Sequence, residues 1–231
     1  TTSSAGCDSI TTLNVTLASL IAVSVDTTVC TNTVPFTWNG QAVTGSGSYT
    51  FTTTSSSGCD STITLRVTVN TIPSPMITGP VIVCQNSTGN VYTTETGYQN
   101  YTWNIVGGTI TSGGGINDNT VTVTWTNSGS QFISVNYSNG RCAAITSTTL
   151  NITVNPAPGS FNVSGGGVFC SLNGAVISLS GSETGIRYEL LLDGVAVSTL
   201  PITGTGGPIS FPTQFVAGIY TIIAVDPVTF C

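Results

Sequence analysis

Apolar and polar residues alternate with a period of two through most of the chain. Val121, Val123 and Trp125 alternate with Thr122 and Thr124, and Ile133, Val135 and Tyr137 with Ser134 and Asn136. Leu65, Val67 and Val69 likewise alternate with Thr64, Arg66 and Thr68. Strands with one buried face carry this pattern, and β-branched residues suit a pleated, half-buried surface. Between the runs stand Asn39-Gly40, Asn139-Gly140, Asn173-Gly174 and Asp193-Gly194, dipeptides that supply the positive φ angles of tight hairpins. No stretch keeps a helical period. The pattern predicts an all-β chain of immunoglobulin-like sandwiches in a row.

Self-similarity and proline divide that row. Gly6-Cys7-Asp8-Ser9 returns 52 residues later as Gly58-Cys59-Asp60-Ser61. At the same offset Thr12, Leu13, Val15 and Thr16 meet Thr64, Leu65, Val67 and Thr68. Residues 1–20 therefore read as the closing strand of a preceding, truncated repeat, and 21–71 as a short immunoglobulin-like repeat. Two proline-marked joints follow, Asn70-Thr71-Ile72-Pro73-Ser74-Pro75 and Asn155-Pro156-Ala157-Pro158-Gly159. Proline cannot donate to a ladder and stiffens the backbone, so both predict short, semi-rigid connectors. They delimit a sandwich over 72–156 and another over 157–231, with the chain expected to continue beyond.

Composition narrows the function. Only 5% of the 231 residues are charged, against about 25% in an ordinary soluble domain. There is no Lys and no His, and the net charge is −6. Three scattered basic residues, Arg66, Arg141 and Arg187, cannot supply a phosphate footprint, which excludes nucleic acid as a partner. The same shortage argues against docking on anionic lipid. No apolar run approaches the ~18 residues of a membrane helix, so no membrane insertion is expected. At 39% hydrophobic the chain is too apolar for disorder.

Seven cysteines are distributed as one pair per module with one left over. Their positions predict three internal bridges, Cys30–Cys59, Cys84–Cys142 and Cys170–Cys231. Cys7, the repeat counterpart of Cys59, is then expected to pair with an upstream cysteine before Thr1. The bland alternative is seven buried thiols in a reducing compartment. Zinc is disfavoured, because no two cysteines lie within four residues of each other and there is no His. Each bridge would be worth roughly 3 to 4 kcal/mol on the chain-entropy model. Disulfides would also place the protein outside the cytosol.

No catalytic constellation is visible. Acid–base chemistry calls on His or on paired carboxylates. The nearest pair in the third module, Glu183 and Glu189, reads as a solvated edge pair. Asn117-Asp118-Asn119 lacks the spacing of a calcium loop and reads as a turn. Gly113-Gly114-Gly115 and Gly165-Gly166-Gly167 are not set between a strand and a helix, so they are loops and not phosphate cradles. Phe36 with Trp38, Tyr101 with Trp103, and Trp125 are either sandwich plugs or sugar platforms, and the plug is the commoner use. The expectation is a non-enzyme with no cofactor, no metal and no catalytic residue.

The segment Cys30 to Val69 resembles a short repeat of very large Bacteroidota surface proteins. The resemblance rests on Phe36-Thr37-Trp38-Asn39-Gly40, Gly47-Ser48-Tyr49-Thr50 and Gly58-Cys59-Asp60-Ser61-Thr62-Ile63-Thr64-Leu65. The stretch Ile72 to Asn155, with Tyr101-Thr102-Trp103-Asn104 and Gly107-Gly108, is similar to the PKD-like domain of the same proteins. The last module is similar to another of their repeats, through Gly181-Ser182-Glu183-Thr184-Gly185 and Tyr188-Glu189-Leu190-Leu191-Leu192-Asp193-Gly194. The resemblance implies disulfide-stapled, tandem immunoglobulin-like and PKD-like β-sandwiches in a cell-surface adhesin, exported by type IX secretion and used in gliding motility or surface attachment. The implied partners are neighbouring repeats of the same long chain, surface polysaccharide, or the secretion and motility machinery. Asp8-Ser9-Ile10, Asp26-Thr27-Thr28 and Asp60-Ser61-Thr62 match the pattern such bacteria O-glycosylate, which nominates Ser9, Thr27 and Ser61. The competing expectations are accessory modules of a secreted hydrolase, carbohydrate-binding or spacer, and a filament subunit that donates a strand.

Overall fold

A computed structural model of the chain describes residues 12–17, 21–54, 58–169, 173–197 and 201–231. The chain forms two compact units, Thr1–Ile72 and Pro73–Cys231. It is all-β: tandem immunoglobulin-like and PKD-like sandwiches stapled by disulfides. The one helical piece among the described residues is a 3-10 turn over Thr31–Thr33.

Among the described residues the first unit has five strands: β1 (Ala22–Cys30), β2 (Phe36–Trp38), β3 (Gln41–Val43), β4 (Gly47–Thr54) and β5 (Asp60–Asn70). The long β5 is central, with β1 parallel on one side and β4 antiparallel on the other. Its register sets Leu65 opposite Val25 and Tyr49, so one face is apolar, as the alternation requires. The β2–β3 hairpin turns at Asn39-Gly40, with φ of 46° and 80°, values that favour this dipeptide. It lays Phe36, Trp38 and Val43 over Leu65 and Val67. Val43, Leu65 and Val67 are the buried members of that core, and it is small. Residues 1–11 and 18–20, most of the expected closing strand, lie outside the described residues. Thr12–Leu17 carries no strand assignment, and Leu13, Val15 and Leu17 are exposed.

In the second unit the PKD-like sandwich comes first. Its strands are β6 (Ile82–Cys84), β7 (Asn90–Thr93), β8 (Gln99–Val106), β9 (Gly108–Gly113), β10 (Thr120–Trp125), β11 (Gly129–Ser138) and β12 (Thr148–Asn155). One sheet has the order β7-β10-β9, the other β6-β12-β11-β8. Tyr92, Val121, Val123 and Trp125 of the first sheet share one core with Tyr101, Trp103, Ile133, Val135, Ile152 and Val154 of the second. These are the inward positions of the period-two runs. Each fully buried aliphatic or aromatic side chain contributes about 1.5–3 kcal/mol, so this core dominates the unit. The tryptophans are plugs: Trp125 is wholly buried and Trp103 nearly so. Their polar ends are partnered, Trp103 Nε1 donating to the Asp118 carbonyl at 2.9 Å.

The last sandwich has shorter strands: β13 (Val163–Ser164), β14 (Ser178–Leu179), β15 (Arg187–Leu192), β16 (Val195–Ala196), β17 (Ile202–Thr203), β18 (Ile209–Ser210) and β19 (Tyr220–Val225). One sheet is β13-β14-β18; in the other, β15 pairs with β16, β17 and β19. Ile177, Leu179, Tyr188, Leu190, Ile209 and Phe211 form a separate core. The proline joint after Asn155 thus separates two cores that nevertheless belong to one compact unit.

Candidate functional site

The feature that joins those two cores is a disulfide between Cys84 and Cys231, with Cα atoms 5.4 Å apart and 147 residues between them in sequence. Cys84 ends β6, and β6 lies parallel to β12 with Cys84 opposite Asn155. Gln85 N–H donates to the Asn155 carbonyl at 2.8 Å. Cys84 is therefore fixed where the PKD-like sandwich hands the chain on to the last module. On the other side, Asp226 N–H donates to the Cys231 carbonyl at 2.7 Å and Phe230 N–H to the Asp226 carbonyl at 2.8 Å. This turn holds Cys231 against the end of β19. A hydrogen bond from Val228 N–H, foremost, holds the exposed Asp226 carboxyl below the usual carboxylate range.

The bridge overturns two expected pairings, Cys84–Cys142 and Cys170–Cys231. Cys142 follows β11, whose end at Ser138 is remote from the Asn155 end of β12, since Gly129 at the start of β11 faces Val154. At about 3.3 Å per residue the two ends of the sandwich are roughly 30 Å apart, several times the reach of a disulfide. The third expectation fails on the same ground. Cys30 stands opposite Asn70 at the far end of β5, whereas Cys59 precedes Asp60 at its start. That separation is also roughly 30 Å. Cys30 and Cys142 are each disulfide-bonded, and Cys59 is half-buried. Cys7 and Cys170 lie outside the described residues. One pair per module was the wrong premise, because a cysteine's place along a strand, and not its module, decides what it can reach.

Beside the bridge lies a cleft of about 530 Å³, lined by Gln85, Asn86 and Ser87 from one sandwich and by Phe161, Tyr188 and Phe230 from the other. No ionisable carboxylate, amine or imidazole lines it. It offers the Gln85 and Asn86 amides, the hydroxyls of Ser87, Ser160 and Tyr188, and apolar rings. Glu183, just outside, accepts a hydrogen bond from Gly159 N–H at 2.9 Å and so pins the linker. Glu189 lies within β15.

The most connected carboxylate sits near the opposite end of the PKD-like sandwich. Glu95 Oε2 accepts from the Tyr137 hydroxyl and the Thr94 hydroxyl, both at 2.7 Å, and from Met76 N–H at 3.2 Å. Burial works against its ionised form, but these donors outweigh that and hold the carboxyl below its ordinary range. Burial, then the bond to Glu95 and its charge, push the Tyr137 phenol up. Tyr98 stacks on Tyr137 with centroids 4.3 Å apart, and Tyr101 meets its edge. The cluster ties the Glu95 loop to β11 through Tyr137 and to the segment before β6 through Met76, which is a structural use. Nothing in the alternating pattern marked Glu95; only the fold brings it to Tyr137, 42 residues away.

Among the described residues no group of three or more His, Cys, Asp or Glu could hold a metal. Asp118 caps a turn, its Oδ2 accepting from Gly115 N–H at 2.9 Å. Among the described residues no helix is long and apolar enough to cross a membrane. Thr27 stands opposite Val67 on the core-bearing face of the first unit, and Ser61 lies opposite Thr53 in β5; both are half-buried. Ser9 lies outside the described residues.

The geometry defines a protein of stapled β-sandwich modules, and comparison with known proteins agrees for its middle. Residues 70–152 match the family model of the PKD-like domain. Among solved structures, domains 1–6 of the surface layer protein SbsC are similar over 79% of this chain and 26% of that one, at 14% identity and a TM-score of 0.31. The chain thus spans about a quarter of that structure. The FN1–FN3 domains of chicken CNTN1 are similar over 79% of this chain and 72% of that one, at 14% identity and a TM-score of 0.27. The SGBP-B protein of the Bacteroides ovatus mixed-linkage glucan utilization locus, solved with a mixed-linkage heptasaccharide, is similar over 76% and 60%, at 11% identity and a TM-score of 0.25. No curated protein matches.

Proposed function

We propose that this chain is a non-catalytic, extracellular stalk segment of a large bacterial surface adhesin. The observation that supports it best is the covalent tie between two thinly charged sandwiches through Cys84 and Cys231. Disulfides that staple a fold belong to oxidising compartments. A surface of Thr, Ser, Asn and Gly with three Arg gives trypsin-like proteases little to cut. Trp103 and Trp125 are consumed by the core, so they do not serve as sugar platforms. On this reading the partners are neighbouring repeats of the same long chain and the type IX secretion or gliding machinery. Ser9, Thr27 and Ser61 are its glycosylation sites, and an intact mass equal to the bare sequence would reject that part.

Antibodies raised against this chain should label intact cells of the source organism, and disrupting the gene should reduce attachment to surfaces or gliding. Label that appears only after lysis overturns the reading. Saturable binding of a polysaccharide, with attachment unchanged by disruption, would instead assign these modules to a secreted hydrolase.

A further inference from the structure

We infer that the Cys84–Cys231 bridge gives the second unit a mechanical function: it carries tension past both sandwiches, so that residues 85–230 bear no load when the chain is pulled lengthwise. Force applied to a chain follows its shortest covalent route, and a disulfide ties Cys84 directly to Cys231 across a separation of 147 residues. The position of the bridge matters as much as its existence. Without it, load entering from the N-terminal side would pass the isolated contacts of Pro75, Met76 and Thr78 and then fall on β6, which holds to β12 through three residue pairs, Ile82–Thr153, Val83–Val154 and Cys84–Asn155. So short an edge strand peels easily. Behind it stand two separate cores that would then open in turn. The bridge is attached at the last residue of β6, so peeling stops there. On the far side it is attached at Cys231, which the Asp226 and Phe230 hydrogen bonds hold against the end of β19. From Gln85 onward both sandwiches thus hang off the force path, and β6 alone stays on it. The bypass follows from the bridge alone; its use to a cell rests on the stalk reading above.

The test is stretching single molecules of the full chain, with handles fused before Thr1 and after Cys231. Fully extended, 231 residues span roughly 800 Å at about 3.5 Å each, of which roughly 500 Å is hidden behind the bridge. The oxidised chain is expected to stop near 300 Å or below, and reductant should release the remainder. The double variant Cys84→Ala, Cys231→Ala should pass 300 Å without reductant. Because the readout is length under load, it does not require the variant to fold. An oxidised parent that reaches the reduced length, or a double variant no longer than the oxidised parent, overturns the inference. Neither outcome depends on where the protein resides, so the stalk reading stands or falls separately by the labelling of cells.

Discussion

The Trp125 indole N–H donates to the Tyr92 hydroxyl at 2.9 Å in the middle of the PKD-like sandwich, and both side chains are fully buried. The Tyr92 hydroxyl in turn donates to the Pro80 carbonyl at 2.9 Å, so one phenol satisfies a donor in the core and an acceptor in a loop. Burial pushes that phenol up, while the bond from Trp125 pulls the other way. Tyr92→Phe keeps the ring and strands both partners. The expected cost is about 1–3 kcal/mol, the usual penalty for an orphaned buried group. Urea denaturation of the oxidised chain would measure it, and a change below about 0.5 kcal/mol would mean that water replaces the hydroxyl.

Glu95 predicts an acid-sensitive contribution to stability. Its carboxyl is held below the ordinary 4.5, so its stabilising effect is present above that value and is lost as pH falls through the lower, folded one. The side chain is only half-buried, so the effect is screened and modest. In Glu95→Gln the unfolding midpoint should vary less between about pH 5 and pH 3 than in the parent. Parallel pH profiles for the two would assign the acid sensitivity to other carboxylates. Tyr137 has the opposite sign: its raised phenol contributes stability below its ordinary value of 10.0, and that is lost as pH rises through the folded value.

Ser182 is the buried hydroxyl of the last sandwich. It donates to the Gly207 carbonyl at 2.6 Å and accepts from Thr205 N–H at 3.0 Å, holding the loop after β17 to the entry of β15. Ser182→Ala removes both bonds with almost no change in volume. It should lower stability by about 1–3 kcal/mol, whereas Ser182→Thr, which keeps the hydroxyl, should recover part of that. Equal losses in the two variants would point to crowding at the site.

Tryptic mapping without reduction reads the cysteine pairing directly. Cleavage after Arg66, Arg141 and Arg187 places Cys84 in 67–141 and Cys231 in 188–231. These two peptides should stay joined until reductant is added. A link between 67–141 and 142–187 instead would pair Cys84 with Cys142 or Cys170 and remove the force-bypass inference.

The strands and turns were legible in the sequence because a strand's signal is local. Period-two runs such as Val121 to Trp125 state which residues face inward, and Asn39-Gly40 and Asp193-Gly194 state where the chain reverses, since both adopt the positive φ that few other residues accept. The tryptophans were legible as plugs for the same reason: they continue an apolar face. The absence of His and Lys limits the chemistry open to the chain whatever its fold.

Pairing across distance was decided by the tertiary structure. Cysteines carry no periodicity, so proximity in sequence suggested bridges inside each module, while strand direction put Cys84 and Cys142 at opposite ends of one sandwich. The parallel register of β1 on β5 separated Cys30 from Cys59 in the same way. Glu95 meets Tyr137, and Cys84 meets Cys231, because sheets fold segments dozens of residues apart onto one edge. The sequence states the face each residue presents, a matter of alternation along one strand. What the fold decided was which end of which strand stands beside which other, because that depends on register and crossover and on no local pattern.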